Sequence, residues 1–159
     1  MKLYHGSNVV VEKPRLLRSD RRLDFGAGFY LTSSFEQAKR WAVLTARRRE
    51  TGSPLVSVFD FDEQKARSLN VLEFPEASEG WLEFVSDNRS GKPEREGLDI
   101  VIGPVADDKT MPVLRFFFAD VYTVEETIRR LLPQKLTDQY AFKTWAALDA
   151  LIFCEVVEV

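Results

Sequence analysis

A chain of 159 residues, 45% hydrophobic and 30% charged, is long enough to bury roughly 70% of its unfolded surface around one core. No apolar run approaches the ~20 residues of a membrane-spanning helix, so one globular domain over residues 1–159 is expected, with no membrane association. The net charge of −3 hides a split, because residues 1–49 carry 11 Lys and Arg against 4 Asp and Glu. Either this basic part handles an anion, or the two parts neutralise each other across the fold. The lone cysteine, Cys154, sits in the apolar run 151–154 and can form no intramolecular disulfide. That suits a reducing cytoplasm and reads as a buried thiol. Residues 1–6 carry no basic-then-apolar leader, so secretion by a signal peptide is not expected.

Taken in chain order, Leu3 to Gly6 reads as a short strand, which Val9-Val10-Val11 either extends or follows before Pro14 stops regular structure. Residues 13–22 hold Lys13, Arg15, Arg18, Arg21 and Arg22 without periodicity, a basic loop able to fold over a ligand. Residues 24–32 place Gly26 and Gly28 before Phe29-Tyr30-Leu31, a tight backbone approach leading into a strand. There the glycines would leave room for a flat ligand against the Tyr30 ring. Ser33 and Glu36 have capping-box spacing, and Phe35, Ala38, Trp41, Ala42 and Thr45 share one helix face. Arg47-Arg48-Arg49 and Gly52 then end that helix, the cations complementing its macrodipole in preference to forming a nucleic-acid patch.

Leu55 to Phe61 alternates with period two, a strand with one buried face. Leu69 to Phe74 is short and apolar, Trp81 to Val85 makes one or two helical turns, and Asp87 to Gly97 is a polar surface loop. Leu98 to Val105 is a buried strand stopped by Gly103-Pro104, and Asp107-Asp108 reads as a turn rather than a metal site. Pro112 to Tyr122 is a buried helix or strand. Thr123 caps a helix that Pro133 closes. Gln139 to Phe142 is a strand, Trp145 to Leu151 a short helix and Ile152 to Val159 a final strand. Strands and helices mix without regular βαβ alternation, which defines an α+β protein. No glycine follows Gly26 and Gly28 at position 31, so a Gly-x-Gly-x-x-Gly dinucleotide site is not supported.

The single histidine, His5, excludes a multi-histidine metal site. His5-Gly6-Ser7, Gly26-x-Gly28-Phe29-Tyr30 and Gln139 opening a late strand together resemble the ADP-ribosyltransferases of the diphtheria-toxin and poly(ADP-ribose) polymerase type. With residues 99–106 added, the whole chain resembles a small bacterial branch of that superfamily whose members look like toxin–antitoxin or phage-defence components. The resemblance implies a mostly antiparallel split β-sheet core flanked by short helices, with NAD as co-substrate. In it His5 would bond the adenosine ribose, Gly6 would clamp the nicotinamide carboxamide through its backbone beside Ser7, and Tyr30 next to Gly28 would stack on the ring. Trp41 would close a sandwich or simply pack in the core, and the two roles are compatible. Arg18, Arg21 or Arg22 would meet the pyrophosphate.

The implied reaction is cleavage of the nicotinamide–ribose bond and transfer of ADP-ribose to an unidentified protein or nucleic-acid acceptor. An antitoxin protein is the implied partner if the chain acts as a toxin. Where the family usually has glutamate, this chain has Gln139, which can bond a hydroxyl but cannot act as a base. Transfer of a single unit rather than a polymer is therefore expected. The rival expectation is a catalytically silent module that binds NAD, a nucleotide or a partner protein.

Overall fold

The computed structural model describes residues 1–18, 21–107 and 109–159. Among them are seven strands: β1 (Lys2–Ser7), β2 (Phe29–Leu31), β3 (Leu55–Phe61), β4 (Val71–Glu73), β5 (Ile100–Pro104), β6 (Asp138–Phe142) and β7 (Leu151–Glu158). Six helices accompany them: α1 (Phe35–Arg49), α2 (Glu63–Ala66), α3 (Glu79–Arg89), α4 (Met111–Phe118), α5 (Val124–Leu131) and α6 (Trp145–Leu148). The protein is α+β, with one three-stranded sheet ordered β1-β3-β7 and one four-stranded sheet ordered β2-β6-β5-β4. All pairings are antiparallel except β4 with β5. The sheets touch through one antiparallel bridge, Tyr4 with Thr32.

Side chains sort by strand periodicity into three packed groups. Leu3, Phe29, Leu31, Phe59, Phe61, Ile100 and Phe142 form the core between the sheets. Val101 and Ala141, one residue out of phase, face Phe25, Trp81, Leu82, Val85, Leu114 and Leu131 on the helical side of the second sheet. Helix α1 covers the first sheet through Ala38 and Ala42, which meet Val56 and Val58. The central strand β3 is thus covered on both faces, and Val56 to Phe59 are buried in succession. That corrects the one-faced reading: a two-residue alternation cannot show that a helix lies across the second face.

Other expectations shift with the tertiary setting. Ser34, not Ser33, caps α1, accepting from the Gln37 backbone N–H, because Ser33 is drawn off to Asp138 through both its N–H and its hydroxyl. Val9 to Val11 form no strand, and α3 runs to Arg89 through residues read as loop. The stretch 112–122 is mostly helix, yet Phe116, Phe118 and Val121 are exposed. Cys154 is also exposed, on edge strand β7, with its Sγ 3.1 Å from the Lys2 ammonium. An apolar run at a sheet edge does not guarantee cover on both faces. Asp107 accepts from the backbone N–H of Lys109 and Thr110, as a turn requires; Asp108 lies outside the described residues, as do residues 19 and 20 of the basic loop. Among the described residues no helix is long and apolar enough to cross a membrane.

Candidate functional site

The site begins where the two sheets part. Tyr4 and Thr32 exchange both backbone bonds, at 2.9 and 3.0 Å, a hydrogen-bonded antiparallel pair. Two residues further along that ladder, Gly6 would pair with Tyr30 in the same way. It does not: the Tyr30 carbonyl instead takes a bond from His5 Nδ1 at 2.7 Å. The strands diverge there. By the alternation of the ladder, the Gly6 N–H and C=O lie on the edge away from β3, facing the gap. No backbone bond joins Gly6 to β2 among the described residues. On its other side Gly6 is pressed against α1: a Cβ there would fall far inside van der Waals contact of the Ala38 carbonyl oxygen and 2.7 Å from the Ala42 nitrogen. A strand without a side chain at this point lets α1, and with it Trp41 and Arg48, come up to the gap.

Into this gap opens a cavity of about 1100 Å³. Nine of the residues singled out from the sequence line it: His5, Gly6, Ser7, Arg21, Arg22, Gly28, Tyr30, Trp41 and Gln139. Arg18 does not, and borders a smaller cavity of about 330 Å³ near Lys143.

The imidazole of His5 stacks on Phe29, with centroids 4.2 Å apart. Burial pulls its pKa down to about 4, against the bond to the Tyr30 carbonyl and with the help of the Arg49 charge. A neutral ring whose Nδ1–H donates to a carbonyl leaves Nε2 as an acceptor. Its folded pKa lies below the ordinary 6.5, so His5 favours the native state above pH 6.5 and withdraws that support as pH falls toward 4. The midpoint of thermal unfolding is therefore expected to fall between pH 6.5 and 4, and to fall less in His5→Gln. Parallel pH profiles of the two proteins would refute this.

The Tyr30 hydroxyl accepts from the Phe25 N–H at 3.0 Å and donates to the Gly26 carbonyl at 2.7 Å. Burial foremost, then the charges of Asp24 and Glu94, push this phenol well above its ordinary value. The hydroxyl is spent on its own loop, while the side chain packs against the helical-side core at the wall of the cavity. That loop is clamped again by Lys143, whose ammonium donates to the carbonyls of Phe25 and Ala27 at 2.6 and 2.7 Å, and by Glu94, which accepts from the Ala27 N–H. Gly26 takes a φ of 77°, a left-handed conformation that side chains disfavour. Both glycines also answer to the protein's own packing, and Gly28 lines the cavity together with Tyr30. A Cβ at Gly26 would strike Glu94, and one at Gly28 would lie 2.9 Å from the Phe142 carbonyl oxygen on β6.

Gln139 is only 4% exposed, and its Nε2 donates to Asp24 Oδ2 at 2.9 Å and to the Pro104 carbonyl at 3.4 Å. Asp24 is itself 6% exposed. Its Oδ1 receives Arg89 through Nε at 2.6 Å and a terminal nitrogen at 2.5 Å, and its Oδ2 also accepts from the Ala106 N–H at 3.3 Å. Asp24 and Arg89 both line the cavity, and the sequence reading assigned neither a role. Nothing in an isolated Asp before Phe-Gly announces a partner in a helix 65 residues away.

The cavity is basic at one end. Burial, then the charges of Arg21 and Arg49, lower the pKa of Arg48, so three guanidiniums crowd one region. Arg49 also donates to Asn8 Oδ1 at 3.1 Å, next to Ser7, whose hydroxyl points to the same Asn8 oxygen. Arg48 and Arg49 therefore do more than complement the α1 dipole. The Arg22 guanidinium lies over Gly91, where an added Cβ would sit 2.8 Å from its central carbon. Among the described residues no group of three or more His, Cys, Asp or Glu side chains is placed to hold a metal ion.

Fold and site together define an α+β protein with a basic, aromatic-walled cleft at the split between two sheets. A family profile described as "Protein of unknown function (DUF3990)" matches residues 1–153, and the chain belongs to that family. No curated protein and no solved structure matches it.

Proposed function

We propose that the protein has an ADP-ribosyltransferase-like fold and is an NAD-dependent mono-ADP-ribosyltransferase acting in the cytoplasm on a macromolecular acceptor. What supports the reading is the parting of β1 from β2, which leaves one donor and one acceptor of Gly6 unpaired with β2 at the edge of a cavity that Tyr30 also lines. A nicotinamide carboxamide presents the complementary donor and acceptor next to a flat cationic ring, and an electron-rich phenol face attracts such a ring. His5 Nε2, as an acceptor, suits a ribose hydroxyl. Arg21 and Arg48 suit a pyrophosphate.

In the reaction, the bond from ribose C1′ to the pyridinium nitrogen breaks and its electron pair leaves with neutral nicotinamide. The acceptor's nucleophile bonds to C1′ and loses its proton to solvent or to its own base. Charge builds on the ribose in the transition state, as in glycoside hydrolysis, and a bond from the ribose hydroxyl to Gln139 would strengthen as it does. Labelled NAD incubated with cell lysate is expected to give protein or nucleic acid labelled by the wild type and far less by Gln139→Ala. Equal labelling would remove Gln139 from the mechanism.

A second reading, a module that binds NAD without turning it over, has one observation in its favour: the amide at 139 offers no base. Binding of NAD without any release of nicotinamide would select it.

A further inference from the structure

We infer that Asp24, braced by Arg89, is a positioning residue for Gln139, fixing which end of its carboxamide meets the substrate and placing an ion-paired carboxylate directly behind it. The inference rests on the transferase reading above. It starts from hydrogen-bond chemistry. The two groups next to the Gln139 amide within the protein, the Asp24 carboxylate at 2.9 Å and the Pro104 carbonyl at 3.4 Å, can only accept. Nitrogen must therefore face them, both amide protons are used, and Oε1 is the atom left for a ligand on the cavity side.

Asp24 cannot itself serve as a base. Arg89 fills Oδ1 twice, and Gln139 with the Ala106 N–H fills Oδ2, so no lone pair is left open to an acceptor's proton. What remains is a fixed carboxylate, paired with Arg89, in a poorly solvated wall, one side chain removed from the place where positive charge develops on the ribose. Charge held in such a place acts without reorganisation. A buried carboxylate would be costly alone, and Arg89 at the end of α3 supplies the counter-charge from the side away from the cavity amide. In this arrangement Gln139 makes the contact and Asp24, paired with Arg89, holds it in place.

Three proteins test this, with nicotinamide release from NAD and the thermal midpoint at pH 5 and 8 as readouts. Asp24→Asn keeps the size and removes the charge. It is expected to lower kcat about tenfold while KM changes less than about twofold, comparable to losing the outer partner that orients a ligand in other sites. Gln139→Glu sets two carboxyls against each other, so one holds a proton and its folded pKa rises above the unfolded value. Stability relative to wild type is then full only below the ordinary carboxyl value of about 4.3 and is lost as pH rises toward the raised folded value, so it is lower at pH 8 than at pH 5. The surrounding groups do not blur this comparison. Tyr30 lies well above its ordinary value, and His5, at about 4, is common to both proteins, as are the cavity's arginines.

The double variant D24N/Q139E leaves one carboxyl where Gln139→Glu has two and is expected to lose the extra pH dependence of that single variant. Should Asp24→Asn fail to fold, Arg89→Lys, at a partly exposed site, is expected to lower kcat in the same direction with KM held. A Gln139→Glu profile parallel to wild type would overturn the contact whatever the activity. An unchanged kcat in Asp24→Asn would overturn the positioning role while leaving the transferase reading standing. A wild type that releases no nicotinamide would sink the transferase reading and the catalytic part of this inference together, while the pH profiles still report the contact.

Discussion

Gly6→Ala is expected to destabilise the protein by about 3 kcal/mol or more, at the upper end of what overpacking costs. The added methyl would meet backbone on both sides, the Ala38 carbonyl and the Ala42 nitrogen of α1, and backbone has no rotamer to escape into. Relief requires α1 to withdraw from the first sheet, which opens the packing of Ala38 and Ala42 on Val56 and Val58. At about 2–4 °C per kcal/mol for a domain of this size, the thermal midpoint should drop by about 10 °C. A melt within about 2 °C of wild type would show that the helix can give way. The same withdrawal would move Trp41 and Arg48 away from the cavity, so binding at the gap should weaken even under conditions where the variant is folded.

Tyr30→Ala is expected to reduce nicotinamide release about 30-fold, whereas Tyr30→Phe should keep most of it. The separation follows from how the side chain is used. Its hydroxyl is occupied by Phe25 N–H and the Gly26 carbonyl, so removing it loosens the loop at a cost of about 1–2 kcal/mol in stability but leaves the aromatic face. Removing the ring deletes a stacking and cation–π surface worth up to about 2 kcal/mol when desolvated, along with the same loop contacts. Initial rates of nicotinamide release from NAD for the three proteins decide it. If Tyr30→Ala turned over NAD as fast as wild type, the ring would not be the platform; if Tyr30→Phe were as impaired as Tyr30→Ala, the hydroxyl rather than the face would matter.

Much of the local structure was legible because it is set by near neighbours. The strand ended by Gly103-Pro104, the Thr123 cap and the α5 stop at Pro133 depend on residues within one or two turns, and they stand where those residues put them. The cap of α1 slipped by one residue because Ser33 has a better partner, Asp138, 105 residues away. Cys154 is exposed for a similar reason: β7 pairs on one side only, and no window around residue 154 reports whether a strand is central or at an edge.

The sequence by itself determined the residue types on which the site depends. A single histidine precedes a glycine, a tyrosine ends a glycine-containing approach, and an amide stands where a late strand begins. It also set the local rules that make β1, β2 and β6 strands and α1 a helix. Only the tertiary structure decided what those residues do for one another. The His5 ring takes the carbonyl that Gly6 would have paired with, and α1 closes on the bare face of Gly6. Asp24, reached by Arg89 from α3, turns the Gln139 amide. Each of these depends on a hydrogen bond or a backbone contact between segments 25 or more residues apart. Such partners are chosen by which strands share a sheet and where two sheets part, and hydrophobic period, capping and turn chemistry carry no record of either.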